Sequence, residues 1–89
     1  MKVTYFNDGG HGWYSVKREK LKTMGILEKV SSFSYQKGRS VYLEEDWDAG
    51  LFFNNLTEEE KQSIKVVNSC SNRSPVRGYS RFSFTFDDA

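Results

Sequence analysis

The glycine-rich run Asn7-Asp8-Gly9-Gly10-His11-Gly12-Trp13-Tyr14 constrains the fold of this chain more than any other stretch. Glycine reaches backbone angles that side chains forbid, so three glycines in four positions mark a tight turn. Strand formers flank it on both sides: Val3-Thr4-Tyr5-Phe6 before, Trp13-Tyr14-Ser15-Val16 after. Extended segments joined by such a turn predict that the second is either the hairpin partner of the first or a short continuation of it. The same turn displays the single histidine, His11, beside the indole of Trp13, which makes it a candidate contact site.

The helical signals downstream are short. Lys17 to Met24 is a run of helix formers stopped by Gly25, with Leu21 and Met24 as its narrow apolar stripe. Ile26 and Leu27 follow and are assigned to the core. Residues 30–35 alternate, the tripeptide Gln36-Lys37-Gly38 turns the chain, and Ser40-Val41-Tyr42-Leu43 resumes extended character, which predicts a hairpin. The acids Glu44, Glu45 and Asp46 precede a helix expected over 46–55, since negative charge suits a helix N-terminus. Trp47, Leu51, Phe52 and Leu56 fall at helical spacing, which assigns Trp47 and Phe52 to the core. Thr57-Glu58-Glu59-Glu60 has the form of a capping box, and Ile64 to Val67 reads as a strand.

A polar loop is expected near 69–76, followed by a C-terminal strand. In that strand Phe82, Phe84 and Phe86 alternate with Arg81, Ser83 and Thr85, so the three rings share one face. The whole predicts a single compact α+β domain over 1–89: an antiparallel sheet of four to five strands with two short helices packed on one face. Eighty-nine residues leave no room for a second core. Only 37% of the residues are hydrophobic, but 16% are aromatic, so a thin core built from a few large rings is expected.

Charge is balanced overall, at 13 basic and 12 acidic residues, yet it is distributed in blocks. Residues 17–39 carry seven bases against two acids, 44–60 carry seven acids and no base, and 61–81 carry five bases and no acid. Folding either segregates these blocks into a two-faced surface or interleaves them. With one cysteine, Cys70, no internal disulfide forms, which fits a reducing compartment. No apolar run approaches membrane-spanning length, so no membrane association is expected and the chain is placed in the cytoplasm.

Catalytic equipment is sparse. His11 with Asp8 nearby has the ingredients of an oriented imidazole, but no nucleophile accompanies it. One histidine and one cysteine far apart in sequence cannot make a zinc site. Asp46 and Asp48 have only a weak resemblance to hard-metal ligand spacing, so no metal and no cofactor are expected. Arg73, Arg77, Tyr79 and Arg81 combine phosphate-binding and base-stacking side chains, the equipment of a small single-stranded DNA or RNA binder.

Several runs together resemble a family of small proteins encoded by bacteriophages and other mobile elements. They are Asp8-Gly9-Gly10-His11-Gly12-Trp13, Gly25-Ile26, Val30-Ser31-Ser32-Phe33-Ser34-Tyr35, Val41 to Asp48, and Arg77-Gly78-Tyr79. The resemblance implies a non-enzymatic accessory protein in a host bacterial cell, binding a host protein or nucleoprotein complex, as anti-CRISPR and other anti-defence proteins do. On that reading the partner-binding residues are His11 and Trp13 for aromatic contact, Glu44, Glu45 and Asp48 for a basic surface, and Arg77 and Arg81 as anchors. The chain acts as a monomer or as a homodimer, the latter through the Phe82 to Phe86 strand.

Overall fold

Gly9, at φ +83°, turns the chain between two strands, and the amide of Asp8 closes the turn on the carbonyl of His11 at 3.2 Å. Of the two arrangements expected here the hairpin forms: β1 (Lys2–Asn7) pairs antiparallel with β2 (Gly12–Lys17). The computed structural model describes residues 1–71 and 74–84. After β2 come α1 (Arg18–Thr23), a 3-10 turn (Leu27–Lys29), β3 (Tyr35–Lys37), β4 (Ser40–Glu44), α2 (Asp48–Asn54), α3 (Glu58–Ser63), β5 (Lys65–Cys70), a second 3-10 turn (Pro75–Gly78) and β6 (Ser80–Arg81).

Short-range signals act where their residues stand. Gly25 stops α1 at φ +75°, and Gly38 turns the β3–β4 hairpin at φ +58°. Thr57 caps α3 in the full capping box: its hydroxyl accepts from the Glu60 amide at 3.1 Å while the Glu60 carboxylate accepts from the Thr57 amide at 2.9 Å.

The sheet is larger than the four or five antiparallel strands expected. Among the described residues six strands run in the order β5-β1-β2-β4-β3-β6, and β5 lies parallel to β1, with Val3 beside Val66 and Tyr5 beside Asn68. The polar segment expected to begin at Ser69 is still strand through Cys70. Three short helices are present among the described residues rather than two. Residues 31–34, expected to alternate as strand, form a turn instead, and β3 begins only at Tyr35.

One face of the sheet carries the core. Val3, Val16, Val41 and Leu43 pack against Leu21 of α1, Leu27 and Phe52 of α2, with Ile26, Val30, Leu56 and Phe82 completing the cluster. Each fully buried aliphatic or aromatic side chain in such a cluster contributes about 1.5–3 kcal/mol. Phe82 belongs to this core, Phe84 is exposed, and Phe86 lies outside the described residues, so no three-ring strand face is available for a dimer in the described part.

The opposite face is covered by a strap. The chain leaves β5 at one edge of the sheet and enters β6 at the other, so residues 74–79 cross the face away from the helices. Val76 of the strap is fully buried, and the Tyr79 ring packs on Tyr42 at 5.0 Å between centroids. Among the described residues two ion pairs form: Lys20 with Glu60 joins two of the charge blocks, and Arg77 with Asp8 ties the strap to the glycine turn. Among the described residues no helix is long and apolar enough to cross a membrane.

Candidate functional site

Side chains alternate across a strand, and partners in register share a face. Trp13 on β2 therefore sits on the strap side next to Glu44 on β4, and Tyr35 on β3 next to Tyr42 and Arg81. Trp13 and Tyr35 meet edge to face at 5.9 Å. Arg77 from the strap lies over the Trp13 ring at 5.3 Å, and Arg81 over Tyr35 at 4.7 Å. These four side chains form the floor of a cleft of about 480 Å³, whose walls are His11, Phe33, Glu44, Asp46 and Trp47. The volume lies within the range of small-ligand and side-chain pockets, roughly 300–1,000 Å³.

Two loops raise the walls, and one buried carboxylate holds both. Asp48, completely inaccessible to solvent, accepts from the Ser31 amide at 3.1 Å, the Ser31 hydroxyl at 2.6 Å and the Ser34 hydroxyl at 2.5 Å. The Ser34 hydroxyl in turn accepts from the Glu44 amide at 3.0 Å. The Glu44 carboxylate receives the amides of Asp46 and Trp47. Residues 31–34 and 45–47 are thereby fixed to each other, and they present Phe33 at 65% and Trp47 at 73% exposure. The two rings do not stand singly on the surface but line the same cleft.

The third support is Asp8, whose carboxylate joins the glycine turn to the strap. It accepts from the amides of Gly10 and His11 at 3.1 Å, from the Ser74 amide at 3.3 Å, and from Arg77 through both Nε and Nη2. The guanidinium, then the His11 amide, hold its pKa far below the usual carboxylate range, and Arg77 is raised in return. Asp8 thus bonds the backbone of His11, and its carboxylate is occupied by Arg77 rather than orienting an imidazole. The His11 ring leans on Trp13 at 6.3 Å.

Of the seven residues expected to contact a partner, the structure gathers five at the cleft: His11, Trp13, Glu44, Arg77 and Arg81. Trp13 is floor rather than display, at 3% exposure, because β2 is central and the strap covers it. Glu45 and Asp48 do not join them. Glu45 lies on the helix side, where it accepts from the Tyr5 hydroxyl at 2.6 Å. That bond, then burial, pushes the Tyr5 pKa up to about 12. Gly12 is required there, since a Cβ would collide with the Tyr5 ring and hydroxyl. Asp48 is the buried support just described, not a surface acid.

Trp47 departs from expectation in the other direction. Helical spacing in a helix over 46–55 assigns it to the core, but α2 begins only at Asp48, and Trp47 has non-helical angles (φ −125°, ψ −63°) that turn it off the apolar stripe. Phe33, Tyr35 and Asp46 also line the cleft without having been partner candidates. Phe33 carries one usable signal, a lone ring in the polar stretch Ser31 to Ser34. Among the nucleic-acid candidates, Tyr79 lies between Tyr42 and the Lys37 ammonium, which is 4.7 Å from its ring centroid, and Arg73 lies outside the described residues.

A larger concavity, about 850 Å³, opens on the helix side around Arg18, Lys22 and Arg39. Its central cation is already engaged: Arg18 donates to the Gln36 side chain at 3.1 Å and to the carbonyls of Ser83 and Phe84 at 3.0 and 2.6 Å. The smaller cleft is the better candidate because its rings are exposed while its polar groups are held in place. Comparison with protein-family models, with curated proteins and with solved structures gives no match to this chain.

Proposed function

We propose that this chain is a non-enzymatic binding protein that engages a protein partner through the aromatic cleft. The observation that carries the reading is the pair Phe33 and Trp47, exposed on opposite loops that Asp48 pins together. Binding hot spots are rigid aromatic and arginine side chains at the centre of a patch, and this cleft offers Trp47, Phe33 and the stacked Arg81 in one place. Their preorganisation lowers the ordering cost of association.

A protein fits the cleft's charge better than a polyanion does. Glu44 and Asp46 line the same cleft as Arg77 and Arg81, so the cleft is of mixed charge rather than cationic. Arg77 is already paired with Asp8, and Arg81 donates to the Ser32 carbonyl at 3.3 Å. Nucleic-acid binders present their cations unpaired and in excess. In keeping with the resemblance to small phage-encoded proteins, the proposed role is to bind and inhibit or modulate a host protein or nucleoprotein inside a bacterial cell, as anti-defence proteins do.

The test is affinity capture from host lysate with the wild-type chain and a Phe33→Ala/Trp47→Ala variant, each with and without nuclease. We expect one stoichiometric protein that survives nuclease and is lost from the variant, whose circular dichroism stays native. Capture that disappears with nuclease transfers the function to the arginine and tyrosine side chains as a nucleic-acid binder. Capture that the variant retains removes the cleft from the interface.

A further inference from the structure

We propose that β5 is a dimerisation edge, pairing antiparallel with β5 of a second copy about a two-fold axis at Asn68. This inference is independent of the aromatic cleft, which lies toward the other end of the sheet. β5 is six residues long, every one of them exposed, and among the described residues it pairs with β1 alone. Val66 and Val67 point to opposite faces of the strand, and both are at least 40% exposed. Sheet edges are ordinarily protected by proline, bulges, brevity or several charges. β5 has no proline and a single charge, Lys65 at its first position.

The hydrogen-bond phase of the strand sets a register in which it pairs with itself. The Lys65 amide donates to the Met1 carbonyl at 2.8 Å, and the Ser71 amide to the Asn7 carbonyl at 3.1 Å. In a parallel ladder alternate residues face the same neighbour, so Lys65, Val67, Ser69 and Ser71 bond inward to β1. Val66, Asn68 and Cys70 therefore direct both N–H and C=O outward. A two-fold axis at Asn68 sets Val66 opposite Cys70 of the other copy, Asn68 opposite Asn68, and Cys70 opposite Val66. All three outward residues then exchange both hydrogen bonds. The one charge, Lys65, faces Ser71 rather than its own copy, so no like charges meet.

The opposite end of the sheet closes the assembly. Among the described residues β6 offers only Ser80 and Arg81, too short an edge to receive a six-residue strand. Head-to-tail growth is thereby disfavoured and pairing stops at two copies, joining two six-stranded sheets. One strand pair buries less than the ~1,200 Å² at the low end of specific interfaces, so the dimer is reversible and concentration-dependent.

Sedimentation of the full chain over rising concentration tests this, comparing wild type with Asn68→Pro. Proline at 68 removes an outward N–H and leaves the ladder to β1 intact. We expect the wild type to approach twice the mass of one chain and Asn68→Pro to remain at one. A second variant guards against misfolding by the first: Asn68→Cys in a Cys70→Ser background. Residues facing each other in a hydrogen-bonded antiparallel pair have Cα atoms about 5.5 Å apart, within disulfide reach. Mild oxidation should link this double variant into a dimer. It should leave the wild type unlinked, because its two Cys70 residues sit four positions out of register, roughly 13 Å apart. Three results would each overturn the proposal: a wild type that stays monomeric, a dimer that persists in Asn68→Pro with native circular dichroism, or an Asn68→Cys variant that oxidation does not cross-link.

Discussion

Taken residue by residue, the acids of this protein divide by what they hold. Asp48 satisfies three donors in a dry site, and Asp48→Ala leaves them unpaired. Each stranded buried donor costs about 1–3 kcal/mol, and partial rehydration limits the total to roughly 3 kcal/mol. Asp48→Asn keeps an acceptor and should cost less; urea unfolding of the two variants separates them. Glu45 acts on a proton instead. A tyrosine whose folded pKa is raised contributes stability that is fully present below its unfolded value near 10 and is lost as pH climbs through about 12. Alkaline titration of tyrosinate absorbance should therefore show a component from Tyr5 ionising near 12, above the ordinary tyrosine value of about 10. Tyr42 is also raised, chiefly by burial. Glu45→Gln should return Tyr5 toward its ordinary value and leave Tyr42 where it is.

Among the elements, none of the helices exceeds seven residues, so none is stable in isolation and each depends on its ends and its docking. In α3 no residue is buried, which leaves the capping box as the main local reason it is helical. Thr57→Ala should cost about 1 kcal/mol, read as a lower midpoint in urea with little change in slope. α2 shows the converse. Its position is set by Phe52 in the core and by Asp48 beneath the loop of residues 31–34, and that docking decides where the helix starts. The two-residue shift of its start, from 46 to Asp48, moves Trp47 from the buried stripe to the rim of the cleft, which is the difference between a core residue and a contact residue.

Across the molecule as a body, Asp8 and Arg77 fasten the strap over the sheet. The Asp8 pKa is depressed in the folded chain, so the unfolded chain binds its proton first as pH falls. Its contribution is present above the unfolded value of about 3.9 and is lost progressively below it. Asp8→Asn should lower stability at neutral pH and flatten the acid limb of the stability curve below about pH 4. Thermal melts across an acid series check this: parallel wild-type and variant curves would remove Asp8 from the strap's anchorage. Because the strap carries Arg77 over Trp13, the same variant should also loosen the cleft floor and weaken partner capture.

Whatever is governed by neighbours along the chain was legible from residue order. The turn at Gly9, the stop at Gly25, the turn at Gly38 and the box at Thr57 each rest on the backbone freedom or hydrogen bonding of a few adjacent residues, and each is present in the fold. Most of the cleft was legible too, because exposed glycine turns and interleaved arginines are visible as residue types. Which of those residues share a face depended on long-range packing. The parallel pairing of β5 with β1 joins residues far apart in sequence, Lys2 with Lys65, and no local pattern encodes its register. The strap that buries Trp13, the hydrogen bonds that draw Asp48 inside and the start of α2 that turns Trp47 out have the same origin. A periodic pattern gives the spacing of side chains, but the docked neighbour sets the phase, and the phase decides whether a ring lies in the core or faces a partner.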